Sequence, residues 1–571
     1  MTDTNKIALG EYLFRRLQNT GIKSVFGVPG DFNLALLDYI DNVDDLKWVG
    51  NANELNAAYE ADGYSRVNGF SALITTYGVG ELSAVNGVAG SYAEHIGLIH
   101  IVGMPSISAV KNKLLLHHTL GDSRYYAFMH MSENISLQAS VVENLESAPQ
   151  LIDDLLYLAF TKKKPVYLGL PSNFVNELVP ADRLETPLDF TLPPNDKDSE
   201  AEFIDNFVDL LSKSKKPVLL VDACANRHGV SEEVKKFAEI TKIPAFITPM
   251  GKSTFDEDSP EFHGIYVGAL THPDTKEIVE SSDCIVSMGS LLSDYNTGSF
   301  TYSYKTLNVT EFHSNYCKFK KATYENLQMK HTLGALNEKL ASLTFNFDKV
   351  EKPKSIFAYK EAENCPGEVT ITQDYLWKRL SLFLKEGDVL VTETGTSSFG
   401  VLETHLPKGV KTISQVLWGS IGFSLPAATG ATFAVADQDV QKYKRVILFI
   451  GDGSLQLTVQ AISDACKWNL PLYLFVLNNN GYTIEKLIHG LHADYNQIQP
   501  WKHLKMLDVF ADKAANESIR VDSAKALDSL FKDEAFNTPD KIRVIELMLE
   551  EFDAPPSLVK QAAMSEKINS N

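Results

Sequence analysis

Cysteine is scarce and unpatterned in this chain. Five residues, Cys224, Cys284, Cys317, Cys365 and Cys466, are scattered over 571 positions with no Cys-x-x-Cys pair. That fits a reducing compartment and argues against a cysteine zinc site. No apolar run reaches the length of a membrane span, so a membrane partner is not expected. The start, MTDTNKIALGEYLF at 1–14, has neither the basic opening nor the apolar core of a secretory signal. Positive charge is short as well. Lys and Arg number 53 against 73 Asp and Glu, for a formal net charge of −20. This argues against nucleic acid or an anionic membrane as general partners. An anionic substrate then needs local cations or a metal to receive it. No GxGxxG follows the first predicted strand, which argues against a nicotinamide dehydrogenase. A cytoplasmic protein is expected.

The length exceeds what one core organises, and the pattern divides it into blocks. Short apolar runs near 24–28, 48–50, 71–76, 98–102 and 166–170 alternate with helical spacing. A second series follows near 218–221, 245–248, 284–288 and 308–312, with a helix over 200–214 capped by Asp198 and Ser199. Residues 345–368 are charged and aperiodic and read as a long surface connector. Alternating β and α at this spacing predicts an α/β protein of three doubly wound parallel-sheet domains. Their limits are expected at 1–186, 194–346 and 370–571, the last with a C-terminal helix, and 347–369 as linker.

The most informative stretch is 445–485, RVILFIGDGSLQLTVQAISDACKWNLPLYLFVLNNNGYTIE. Its two apolar runs and the intervening helical pattern, expected to run to about Trp468, form a βαβ unit. The two strand ends are therefore neighbours on the edge where such sheets bind ligands. Asp452 and an amide side chain at those ends offer hard oxygen donors of the kind Mg²⁺ takes alongside water and phosphate. The N–H groups after Gly453 favour a phosphate.

Other groups add acid–base capacity. Glu54 opens a helix just after a strand, and Gly30-Asp31 closes another strand, so the two carboxylates are expected on one rim. His117 and His118 lie in LLLHHTLGD. Adjacent residues of a regular element point apart, which argues against a shared zinc ion. They read either as proton donors near neutral pH or as a pair capping the following loop. Glu485 lies in TIEKLIH beside Ile484 and Ile488, where an apolar setting would raise its pKa for proton delivery; the alternative is a surface pair with Lys486. The turn from Glu393 to Thr396 offers hydroxyls, and QVLWGSIGF at 415–423 packs small and aromatic residues around two glycines.

GDG and NN are separated by the 24 residues from Ser454 to Leu477. Together with VPGDFN at 28–33, NANELNAAYEADGYSR at 51–66, the histidine pair, TIEKLIHG, PVYLGLPSN, YSYKT and QVLWGSIGF, this resembles the thiamine-diphosphate-dependent 2-oxo acid decarboxylases. The likeness is greatest to the yeast-type pyruvate decarboxylases and runs almost end to end. It implies a pyrimidine-binding first domain, a middle regulatory-type domain and a diphosphate- and Mg²⁺-binding last domain. It puts Asp452, Asn479 and the Gly481 carbonyl on the metal. Thr396, Gly453, Ser454 and Thr483 fall near the diphosphate, with Gly419 and Ile421 against the aminopyrimidine and under the bent cofactor. Glu54 would pair with the pyrimidine nitrogen, leading to an ylid and then an enamine from which CO₂ has left. Asp31, His117, His118 and Glu485 would move protons. His95 and Cys224 match positions linked with substrate activation. The implied protein is a homo-oligomer, at minimum a dimer and usually a tetramer, acting on pyruvate in alcoholic fermentation.

The chain departs from that pattern at Tyr295 and Ser398, where yeast-type members carry Phe and Ala. Two added hydroxyls predict a more polar pocket beside Ile484 and Ile488. The segment GDSRYYAFMHMSENIS after the histidines departs too, which leaves loop closure there open. The rivals are a decarboxylase preferring phenylpyruvate or indolepyruvate, an acetolactate-synthase-like carboligase, and a non-catalytic thiamine-diphosphate-binding protein.

Overall fold

The structure is a computed structural model describing residues 6–569. The first residues of the start 1–14, and the outer limits of the first and last expected domains, lie outside the described residues. Three sheets organise the rest. In the first, the strand order is Lys47–Gly50, Ser24–Gly27, Ser71–Thr76, Leu98–Met104, Val166–Pro171, Ala139–Val141, all parallel. In the last, it is Lys411–Ile413, Asp388–Thr392, Arg445–Gly451, Leu472–Asn478, Ile542–Met548, Asn516–Val521, again all parallel. The middle sheet is parallel from Phe262–Ile265 to Val309–His313, then turns antiparallel through Tyr316–Phe319 and Ala322–Glu325. That edge hairpin escaped the sequence reading because its strands are half-polar.

Alternate residues of the central strands feed two different cores, as a sheet covered on both faces requires. Val446, Leu448 and Ile450 face one, and Ile447 and Phe449 the other. The next strand repeats this, with Leu472, Leu474 and Val476 against Tyr473, Phe475 and Leu477. The first of these cores is continuous with that of the first sheet, through Val25, Leu73 and Ile99.

The seam is a helix pair, Glu54–Asn68 and Ser424–Ala436. Ala57, Ala58 and Ala61 meet Ala427, Ala428 and Ala431 in that core. Two glycines let the backbones touch. A Cβ on Gly63 would lie 2.0 Å from the Ala427 carbonyl oxygen, and one on Gly430 would lie 1.9 Å from that of Glu60. Because backbone rather than a flexible side chain must yield, Gly63→Ala is expected to destabilise by about 3 kcal/mol, the upper range for overpacking. Chemical denaturation reads this, and an unchanged midpoint would contradict the close approach.

Three local expectations change. The helix over 200–214 starts at Lys197, and its cap is Asp196, whose carboxylate accepts from the Ser199 N–H at 2.9 Å. The helix after GDG breaks into Asp452–Thr458 and Ala461–Lys467. The connector 345–368 is partly packed: Phe345 and Phe347 stack at 5.2 Å against the middle core, and Lys354–Glu363 forms 3₁₀ turns.

Candidate active site

The two strand ends of the βαβ unit do meet. Asp452 begins the helix after Arg445–Gly451, and the turn after Leu472–Asn478 carries Asn479, Asn480 and Gly481 beside it. Asp452 accepts from the Gly453 N–H at 2.9 Å and from the Gly481 N–H at 3.2 Å. Burial pushes its carboxyl up to about 6, against the pull of those N–H groups. The Asn479 amide has two orientations. With its nitrogen inward it would donate to Asp452 Oδ1 and to the Gly481 carbonyl, each at 3.1 Å. With its oxygen inward, that oxygen faces both of these oxygens with no hydrogen between, and the nitrogen sits 2.8 Å from Thr483 Oγ1. Thr483 can receive it, because its own hydroxyl donates to the Glu551 carbonyl at 2.9 Å. Neighbouring oxygens on an octahedral Mg²⁺, at 2.0–2.1 Å from the ion, stand about 3.0 Å apart. The oxygen-inward cage therefore fits Mg²⁺. Thr483, which the resemblance puts near the diphosphate, stands with its Oγ1 2.8 Å from the Asn479 amide.

Lys486 clasps the same turn. It is buried, and its ammonium donates to the Asn480 carbonyl at 2.8 Å and to Glu551 at 2.7 Å. It is therefore no partner for Glu485, which is left exposed in the single chain.

Beside the cage is a cavity of about 300 Å³ whose walls include Tyr295, Ser398, Gly419, Ile421, Ile484, Glu485 and Ile488. Gly419 has φ +61, a left-handed turn that glycine adopts without strain. Glu393 shapes this wall and was not singled out as a site residue from the sequence. Its buried carboxylate accepts from Ser424 Oγ at 2.5 Å and from the N–H groups of Thr394, Gly422 and Ser424. No sequence signal marks it, since one strand-end Glu looks like any other. Burial pushes Glu393 up to about 7 despite those donors. A carboxyl raised on folding holds its proton in the native state where the unfolded chain has lost it. Its stabilising effect is complete at low pH and fades as pH rises through about 7. The stability gap between wild-type and Glu393→Gln, measured on cofactor-free protein, is expected to narrow between pH 5 and pH 8; a constant gap would refute this.

Both residues that carry the added hydroxyls line the cavity, and both hydroxyls meet protein groups. Ser398 Oγ donates back to the Gly395 carbonyl at 2.9 Å, and the Tyr295 hydroxyl faces Ser565 of the C-terminal helix. Thr396 is buried at the start of Thr396–Gly400, and Ser454 is buried in the first turn after Asp452.

The remaining candidates gather on the first sheet. The three strands Ser24–Gly27, Lys47–Gly50 and Ser71–Thr76 end at one rim. There Gly30 packs on Thr76, and Glu54 Oε1 lies against Gly80. Glu54 and Asp31 share that rim. Asn53 caps the Glu54 helix by accepting from Asn56 at 2.8 Å, and burial raises the Glu54 carboxyl above its ordinary range. His117 Nε2 is 2.7 Å from Asp31 Oδ2, and His118 Nε2 is 4.0 Å from Oδ1. Adjacent histidines converge on one carboxylate because His118 adopts φ +63, a turn to which the rule for regular elements does not apply. Phe32 stacks on the His117 ring at 5.1 Å. Among the described residues, none of this first-sheet set lines the 300 Å³ cavity.

Three family descriptions match in order: the thiamine pyrophosphate enzyme N-terminal TPP binding domain at 7–128, the central domain at 204–340, and the C-terminal TPP binding domain at 394–546. The chain is 52% identical over 565 residues to pyruvate decarboxylase isozyme 3 of Saccharomyces cerevisiae, and equally to a pyruvate decarboxylase of Candida glabrata. It is 51% identical over 565 residues to one of Kluyveromyces marxianus. Each alignment covers 99% of both chains.

Proposed function

The chain belongs to the yeast-type pyruvate decarboxylases within the thiamine pyrophosphate enzymes, and from that premise we propose how its residues divide the work. The reaction is the non-oxidative decarboxylation of pyruvate to acetaldehyde and CO₂. Bound thiamine diphosphate supplies a thiazolium ring able to take the electron pair that CO₂ leaves behind.

In this reading Asp452, Asn479 and the Gly481 carbonyl hold Mg²⁺, and Thr483 keeps the Asn479 oxygen turned inward. Thr396, Ser454 and the Gly453 N–H bind the diphosphate. The Gly419 carbonyl accepts from the aminopyrimidine, and Ile421 supports the bent cofactor from below. Glu54 shares a proton with the pyrimidine nitrogen; its half-buried setting favours a shared proton over a free carboxylate. Asp31 with His117 and His118 forms one proton-transfer group, held together by the 2.7 Å contact, and Glu485 forms the other.

The observation that carries the reading is the separation of these groups within one chain. The cavity holds the last sheet's residues with Tyr295, while Glu54 and the Asp31 group stand on the first sheet's rim. A complete site then needs the rim of a second copy. A dimer is the minimum, and a tetramer is two such pairs. No described helix is long and apolar enough to cross a membrane. That and the five free cysteines support a cytoplasmic setting.

An alcohol-dehydrogenase-coupled assay on pyruvate tests this. Acetaldehyde is expected only when thiamine diphosphate and Mg²⁺ are both supplied to stripped protein, and activity without either would refute it. Because the Ser398 and Tyr295 hydroxyls are both held by protein groups, the pocket keeps its apolar, compact character. The kcat/KM is therefore expected to be higher for pyruvate than for phenylpyruvate, and the reverse order would favour the aromatic-acid reading.

A further inference from the structure

Outside the candidate active site, two histidines and a cysteine converge where the first block meets the middle one. His95 follows the helix Val79–Ala93, while Cys224 lies in the first turn of the short helix Ala223–Arg227 and His228 caps its end. His95 Nδ1 and His228 Nε2 are 3.5 Å apart, and the ligand atoms of all three residues lie within 4.8 Å of one another. His95 has φ +56, a left-handed conformation that turns the chain here. His95 also lines a cleft of about 1050 Å³, together with Asn226 and Arg227. No hydrogen bond reaches the buried Cys224 thiol among the described residues. A fourth ring, His313, stands 6.0 Å from His95, but its nitrogens face the Ser290 carbonyl and Ser314 Oγ.

We propose that His95, Cys224 and His228 form a binding site for Zn²⁺, with the fourth position open to the cleft. One thiolate and two imidazoles make a common zinc donor set. Two imidazole nitrogens on a tetrahedral zinc, each about 2.0–2.1 Å from the ion, lie roughly 3.4 Å apart. The His95–His228 spacing already matches that. The sulfur needs to close in by at most about 1 Å, given a Zn–S bond of about 2.3 Å. Burial lowers both rings, His95 to about 2 and His228 to about 3, so both are neutral; each neutral imidazole keeps one proton, and zinc takes the tautomers that leave His95 Nδ1 and His228 Nε2 bare. The Cys224 thiol, raised to about 12 by burial, gives up its proton as the Zn–S bond forms, and that proton passes to solvent. Lys162, Lys163, Lys164 and Arg227 are the nearby cations, and Arg227 is paired with Glu94 at 2.7 Å. Their charge weakens the hold on a dication and makes the ion exchangeable. Bound, it ties two blocks together in the folded state alone, so it stabilises.

The test is titration of the holoenzyme, saturated with thiamine diphosphate and Mg²⁺, with Co²⁺ as the visible stand-in for Zn²⁺. One Co²⁺ per chain is expected, with tetrahedral visible bands and a thiolate charge-transfer band in the near ultraviolet. Zn²⁺ should displace it and raise the Tm. Cys224→Ser should lose the charge-transfer band, and His228→Asn should weaken binding by at least about tenfold. Should Cys224→Ser fail to fold, His228→Asn carries the test. Cobalt bands without charge transfer that survive both substitutions would place the ion on Asp31, His117 and His118 and overturn the proposal. Absence of any binding would overturn it as well.

Discussion

Glu54→Gln is expected to lower kcat on pyruvate by about 10²–10⁴, the usual range for loss of a positioned acid–base group, while the protein stays folded. The substitution keeps length and hydrogen-bonding capacity, so packing at the start of Glu54–Asn68 survives, and the Asn53 cap is untouched. What disappears is a carboxyl that burial already holds above its ordinary pKa, ready to share a proton. Steady-state kinetics with a parallel denaturation curve separates this from misfolding. Near-wild-type kcat would remove Glu54 from the chemistry.

Asp452→Asn is expected to cost more than about 100-fold in Mg²⁺-dependent retention of thiamine diphosphate, beyond what indirect ligand support contributes. The reason lies in the cage. Asp452 is its formal negative charge, and the amide of Asn479 and the carbonyl of Gly481 bring only dipoles. Removing that charge leaves neutral oxygens facing a dication. Cofactor binding can be followed by calorimetry at several Mg²⁺ concentrations. Equal affinity with and without Asp452 would place the metal elsewhere.

Much of this was legible in the sequence because its chemistry is local. GDG, the NN pair and the two apolar runs fix a strand-end cage without reference to the rest of the chain. Glu54 was legible for the same reason, as a carboxylate at a strand–helix junction. What escaped depends on partners far along the chain. Thr483 is adjacent to the turn, yet its role is set by the Glu551 carbonyl, 68 positions away. Lys486 looked like a surface partner for Glu485 until the same Glu551 drew it inward. Glu393 matters only because Gly422 and Ser424 fold back onto it. The convergence of the histidine pair has another origin: adjacent residues of a regular element point apart, but His118 sits in a left-handed turn that brings both rings to Asp31. The break in the helix after GDG and the polar edge hairpin belong with these, since local pattern does not encode where a helix must bend or a sheet must extend.

One catalytic site is expected to use the metal cage of one copy and the Glu54 rim of another. Co-expressing Glu54→Gln with Asp452→Asn, each inactive alone, tests it directly. In a two-fold pair, the mixed dimer carries both defects in one site and neither in the other. Random pairing is then expected to restore about one quarter of wild-type sites, read as pyruvate decarboxylation by the purified mixture. If the mixture is as inactive as its parents while mixed dimers are present, both halves of the site belong to a single chain, which contradicts a shared site.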